Sequence, residues 1–583
     1  MAMQQCSVAT LMSTESTCST SPSELETVGI KSFVAEAEDA DFRYPVTLAL
    51  DFGTTYSGCS YAFAHDDEVY DIIKWPKHSG FYAKVPTALY YKKDSSRLLD
   101  WGNGARLRSF KPVQEGSLVH QFKLWLADDL DNNIPPLLEH QSAVDAIADY
   151  LHHFHDHIME ELMRTFAQNY SPDQFRYCVT VPAIWSDKAK AAMREAVIKA
   201  GIIERDDDPR RLVLVSEPEA AALYCEQKYH AWNLGHQDKF MVLDAGGGTI
   251  DLIVYEIDDD TSDERTLHEL TKGHGGLCGS AYIDLRMCEL LKNKFGDHAD
   301  DMPLCTLEMI MDTFVEKIKP NFDGKEDQYL EIPATACQFI EPHLLNEDGC
   351  VVLEVQELVE KVFDPVFNDI KVLVDEQIER ANTSIDAIFL VGGFGCSEFL
   401  YETLKAHVAS RVPVLAMPPR PELAVSRGAI YHMLKPKMVR TKILRRTYGV
   451  RTRLPFEEGL DPESSAVITS DGVKRCSTRF DIVAERGERI HVDSTLRRSF
   501  WVVYPKHTEV DLYVYDGDGI PPRHITDPAI HKIADFPVRI APLSGVQPGD
   551  RIDVTVDFVF GQTELKILVS FQERRLEFTI KFE

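Results

Sequence analysis

Between Phe240 and Ile257 two apolar runs rich in β-branched residues flank a turn of three consecutive glycines, Gly246 to Gly248, a pattern that predicts a β-hairpin. Three glycines cost more backbone entropy than a turn alone requires. They allow bare N–H groups to approach an anion with no Cβ in the way. Asp244 enters the turn, and Thr249 and Asp251 leave it. An acid, a hydroxyl and a second acid beside a phosphate-sized nest suggest a Mg²⁺-nucleotide site, against the plainer alternative of a glycine turn with solvated acids. The pattern recurs from Val46 to Phe63, where aligning the aspartates places Asp51 on Asp244 and Gly53 on Gly246. One local motif repeated at domain-scale spacing argues for two related lobes, each with a phosphate hairpin.

Other segments read as alternating strands and helices. A strand stops at Pro182; then Ser186 or Asp187 can cap a helix running to Ala200, with Gly201 as its stop. Arg211 to Val215 is a buried strand leading into a helix that starts near Pro218, with acids in its first turn. Ile385 to Val391 is a core strand running into Gly392 and Gly393, and a helix follows from about Ser397. From 448 to 583, period-two runs such as Val510–Tyr515 and Arg551–Phe558 predict a β-sandwich-like domain. Residues 1–41 are rich in Ser, Thr and Glu without periodicity and read as a disordered leader. Four histidines, His152, His153, His155 and His157, fall on one helix; His153 and His157 share a face, but no third metal ligand is obvious nearby.

Composition narrows the class. The chain has 583 residues, room for several cores, and its net charge of −31 argues against broad nucleic-acid or anionic-membrane binding. Its twelve cysteines run from Cys6 to Cys476 with no Cys-x-x-Cys pair, and no secretion signal is read at the N-terminus, so reduced thiols in the cytosol or nucleus are expected. No apolar run approaches the ~18 residues of a membrane span.

The paired hairpins resemble the two phosphate motifs of the actin, sugar-kinase and heat-shock-70 ATPase superfamily. Among these the chain is most similar to the heat-shock-70 chaperones, from about Tyr44 to Leu434. The Leu-Cys-Gly-Ser wording at 277–280 is similar to the atypical, twelve-type branch. The resemblance implies an α/β fold: an actin-like ATPase with duplicated ribonuclease-H-like lobes, followed by a small all-β domain. The expected boundaries are leader 1–41, lobe I 42–225, lobe II 226–404, a helix return to lobe I at 405–434, a basic linker at 435–447 and the β domain at 448–583.

It also implies roles for residues at matching positions. Asp51, Glu217, Asp244 and Asp251 would orient Mg²⁺ and its waters, with Asp51 and Asp244 nearest the ion. Gly53, Thr54, Thr55, Tyr56, Gly246, Gly247, Gly248 and Thr249 would hold the phosphates of ATP or ADP. Lys123 would stabilise the transferring phosphoryl group. Glu316, Lys319, Gly392, Gly393 and Phe394 would receive the nucleoside. Two departures stand out: Cys396 replaces the family's adenine-stacking arginine, and Lys190 replaces the arginine that works with Pro182. The linker is basic where the chaperones carry an acidic one. The function implied is a slowly hydrolysing, nucleotide-controlled switch for client or regulatory proteins bound through the β domain. A nucleotide-sensing scaffold without significant hydrolysis and a small-molecule kinase are the alternatives.

Overall fold

The computed structural model describes residues 9–10, 12–13 and 43–579, apart from 65, 67, 94–96, 128–133, 140, 228–231, 233, 259–264, 300, 437, 470, 493, 506–507, 518, 539–544, 561–564 and 572–573. The described residues form two compact units. One lies within Ser32–Met438; the other lies within Val439–Glu583 and includes Ala9–Thr10 and Met12–Ser13.

Within Ser32–Met438 the same sheet is built twice. The first runs Leu212–Ser216, Phe175–Val181, Val46–Asp51, Tyr56–Phe63, Tyr70–Asp71, with the first three strands parallel and the rest antiparallel. The second runs Val414–Ala416, Ala387–Val391, Lys239–Ala245, Ile250–Asp258, Thr266–Glu269, with the same senses in the same order. The central strands Val46–Asp51 and Phe175–Val181 are buried throughout, as expected of strands covered on both faces. Each repeat has its own core. The first gathers Leu48, Leu50, Phe52, Tyr150 and Phe154; the second gathers Leu243, Leu252, Met287, Phe363 and Phe367.

A helix follows the outermost parallel strand of each sheet: Glu217–Glu226 in the first and Ala424–Leu434 in the second. These two helices touch backbone to backbone, since a Cβ at Gly428 would lie 1.7 Å from the Ala220 carbonyl oxygen. Two smaller elements flank the sheets. One is a three-stranded sheet of Leu98–Trp101, Ala88–Lys92 and Gly116–His120, with helix Asn103–Ser109. The other comprises Ser280–Phe295, Leu304–Thr313 and the hairpin Gln328–Glu331/Cys350–Leu353.

The second unit contains two antiparallel layers. One has Thr447–Pro455, Lys474–Ala484, Thr508–Tyr515 and Ile530–Val538; the other has Thr495–Val503, Arg551–Phe560, Leu565–Phe571 and Arg574–Thr579. Val450, Leu512 and Phe536 from one layer share a core with Phe500, Val556 and Ile567 from the other.

Two segments read from the sequence as a leader and a linker contain paired strands. Part of the supposed leader is paired: Ala9–Thr10 lies parallel to Thr508–Glu509, and Met12–Ser13 lies antiparallel to Phe500–Trp501, while the rest of 1–41 is outside the described residues. The supposed linker contains the strand Val439–Ile443, which pairs antiparallel with Arg489–His491. Its basic side chains alternate with Val439 and Thr441, which are buried, and that alternation is a strand pattern. Further on, His274–Gly276 pairs with Ile250–Leu252, and a helix begins at Ser280.

Candidate functional site

The two glycine hairpins meet. Asp51 ends the strand Val46–Asp51 and Asp244 sits near the end of Lys239–Ala245, so each sheet delivers its carboxylate to the mouth of its own turn. A Cβ at Gly247 would lie 2.2 Å from Thr55 Oγ1, and one at Gly248 would lie 2.4 Å from Thr54 Oγ1. Only glycine lets the second turn come this close to the first. The second turn's carbonyls are tied back: Gly246 O accepts from Ser280 N at 3.1 Å, Gly247 O from Ala281 N at 2.8 Å and Gly248 O from Gly279 N at 3.1 Å. With its carbonyls facing that helix start, the turn has N–H to offer the opposite side, the polarity an anion requires.

A cavity of about 690 Å³ opens over the hairpins. It is lined by Asp51, Gly53, Thr54, Thr55, Tyr56, Lys123, Glu217, Asp244, Gly246, Gly247, Gly248, Thr249, Glu316, Lys319, Gly392, Gly393 and Phe394, all anticipated from the sequence. Asp251 is the exception. It stands across the hairpin from Asp244, is fully buried, and accepts the Ala183 N–H at 2.8 Å on Oδ1, so it holds the backbone just after Pro182 and does not line the cavity. Asp251 lies on the face opposite Ile250 and Leu252, the face its cross-strand partner Asp244 shares, and its charge acts on Asp244 from there.

The carboxylates form a charged cluster. Burial, then repulsion from Glu217, Asp251 and Asp51, pushes the Asp244 carboxyl well above the usual carboxylate range. Burial likewise raises Glu217 to about 7, although the Lys123 ammonium opposes the rise. Lys123 Nζ donates to Glu217 Oε1 at 2.5 Å, and both side chains are nearly inaccessible. Three acids crowded at one end of a cavity store repulsion that a cation relieves. Hard oxygen donors are the set that suits Mg²⁺, so the residues present fit that ion beside a phosphate.

At the other end, Lys319 pairs with Asp284 at 2.6 Å, while Glu316 accepts from Arg106 at 2.8 Å and also pairs with the Tyr56 hydroxyl. Glu316 and Lys319 were expected on one α-helical face; instead Phe314–Ile318 is a π-helical turn followed by a 3₁₀ turn at Lys319–Asn321, and the two residues serve different partners. Arg106, which also pairs with Asp312, closes the cavity rim from the first repeat onto the second. Gly392 has φ +85°, and a Cβ there would lie 2.4 Å from Asp244 Oδ1. Phe394 reaches the cavity wall, but its ring is buried in the second core, 6.1 Å from the Phe367 ring. An exposed aromatic platform for a base is therefore not formed by Phe394; Tyr82 and Cys396, both exposed, line the same cavity.

Sequence reasoning missed Lys84, Arg106, Tyr82 and Asp284, all on the cavity wall. On helix Ala143–Thr165, His157 Nε2 lies 2.8 Å from Lys74 O and His155 Nε2 lies 3.0 Å from the Tyr177 hydroxyl, whereas His152 and His153 group with Asp156 at the surface. Every cysteine among the described residues is a free thiol. No helix among the described residues is long and apolar enough to cross a membrane.

Comparison with known proteins gives a consistent result. The family model for Hsp70 protein matches residues 154–439. The chain is 24% identical to human heat shock 70 kDa protein 12B, with 90% of this chain and 89% of that protein covered. It is 22% identical to human heat shock 70 kDa protein 12A over 89% of both chains. Chaperone protein DnaK of Thermotoga neapolitana is 25% identical, with 58% of this chain and 51% of that protein covered.

Proposed function

We propose, for a chain that belongs to the Hsp70 family and is similar to its twelve-type members along most of its length, that the cavity binds Mg-ATP and hydrolyses it slowly. The reading is of an actin-like ATPase that acts as a nucleotide-controlled, chaperone-like switch. The observation that carries it is the contact of the two hairpins, Gly247 on Thr55 and Gly248 on Thr54, beneath a cavity whose floor bears three carboxylates.

In this reading Thr54, Thr55 and the Gly246–Thr249 turn grip the phosphates from two sides. Glu217 and Asp244 would hold Mg²⁺, which when bound neutralises charge on the terminal phosphates, with Asp51 beside them paired to Lys84. Lys123, already positioned by Glu217, offers its ammonium to the γ-phosphoryl group as charge builds during its transfer to water. Asp251 acts at one remove, by fixing the Ala183 backbone. Arg106, bridging to Asp312 and Glu316, holds the rim shut and delays nucleotide release. Partner proteins would be engaged through the strands of 448–583, with ATP and ADP favouring different affinities.

The test is phosphate release from ATP by the purified chain. Asp244→Asn removes a charge from the cluster, and its turnover is expected to fall about 10²-fold, the size of loss seen for one preorganised electrostatic group. Turnover equal to wild type in that variant would remove hydrolysis from the account.

A further inference from the structure

Lys84 occupies a place that nothing in the hairpin motif requires. It opens the strand Lys84–Pro86, which runs antiparallel to Tyr56–Phe63 with Lys84 directly opposite Gly58. A Cβ at Gly58 would lie 2.8 Å from Lys84 Cδ and 3.2 Å from Cε, so the aliphatic stem runs through space that only glycine leaves open. The stem delivers the ammonium to Asp51 Oδ2, with which it forms an ion pair whose two side chains are 10% and 8% exposed. Asp51 Oδ1 accepts from Thr180 Oγ1 at 3.0 Å, so both carboxylate oxygens are engaged from the protein itself.

We infer that Lys84 is a tethered counter-ion of the phosphate site, satisfying Asp51 and offering its remaining N–H donors to the nucleotide, so that nucleotide binding depends only weakly on free divalent cation. The inference rests on the nucleotide reading above. Its physical basis is charge balance. A nucleotide di- or triphosphate brought against Asp51, Glu217 and Asp244 meets repulsion that cations must offset. Lys123 is committed to Glu217, whereas an ammonium has three donors and, among the described residues, Lys84 gives one of them to Asp51. From outside the hairpins, Lys84 brings a buried cation to a hairpin aspartate on the cavity wall.

Calorimetric titration of ADP into the full chain, in excess Mg²⁺ and again in EDTA, tests this. Wild-type affinity is expected to fall by less than about 10-fold on removing Mg²⁺, whereas Lys84→Met is expected to lose about 100-fold or more in EDTA and Lys84→Arg to stay close to wild type. A wild-type loss above about 100-fold overturns the inference whether or not the Met variant folds. So does an equal Mg²⁺ dependence in wild type and Lys84→Met, and in both cases the nucleotide reading survives. Absence of saturable ADP binding by wild type in Mg²⁺ overturns both.

Discussion

Glu217 shows how one side chain is asked to do opposing things. As the first residue of helix Glu217–Glu226 it benefits from the helix N-terminus, yet burial raises its carboxyl to about 7 from an ordinary 4.5 even with Lys123 beside it. A raised carboxyl binds a proton in the folded state that the unfolded chain has released. Its contribution to stability is therefore full below the ordinary value and is lost as pH rises through about 7. Glu217→Gln lacks this titration. Its unfolding free energy relative to wild type should climb between about pH 5 and about pH 8, measured by denaturant unfolding, whereas parallel pH profiles would show that Glu217 does not titrate there. At this scale the hairpin residues were legible because each belongs to one short contiguous motif. Lys84, Arg106 and Asp284 were not, because their roles exist only after a strand, a helix and a second helix from three separate regions have packed around one cavity. Asp251 shares a sheet face with its cross-strand partner Asp244, but its carboxylate is taken up by the Ala183 N–H and does not reach the cavity wall.

At the scale of elements, two contacts join the repeats. Helices Glu217–Glu226 and Ala424–Leu434 cross where Gly428 meets Ala220. Gly428→Val forces a Cβ into backbone, and overpacking of this kind is expected to cost about 1–3 kcal/mol in denaturant unfolding; an unchanged midpoint would contradict the close crossing. At the rim, Arg106 on helix Asn103–Ser109 reaches Asp312 and Glu316. Arg106→Ala should speed release of a fluorescent nucleotide by about 10-fold, since loss of a part-buried charge pair acts mainly on dissociation; an unaltered off-rate would show that the rim does not gate the cavity. Period-two and 3.6-residue patterns made the sheets and most helices visible in the sequence. The π-helical turn at Phe314–Ile318 was not visible, because its extra residue per turn leaves no mark in hydrophobic spacing and becomes apparent only when Glu316 and Lys319 take separate partners.

Across the molecule, duplication is what makes the site possible. Two sheets of identical strand order and sense each end in a turn that contains glycine, and the turns fit because the second carries no side chain where Thr54 and Thr55 of the first meet it. The repeated aspartate-glycine wording disclosed the duplication, while the strand at Val439–Ile443 hid behind a run of basic residues that reads as a linker. The most direct measurement is calorimetric titration of Mg-ADP into wild type and Gly247→Ala, a single added Cβ aimed at Thr55 Oγ1 at 2.2 Å. The account predicts one saturable site in wild type and about a 100-fold weaker one in the variant; equal binding by the two, or none by wild type, would contradict it.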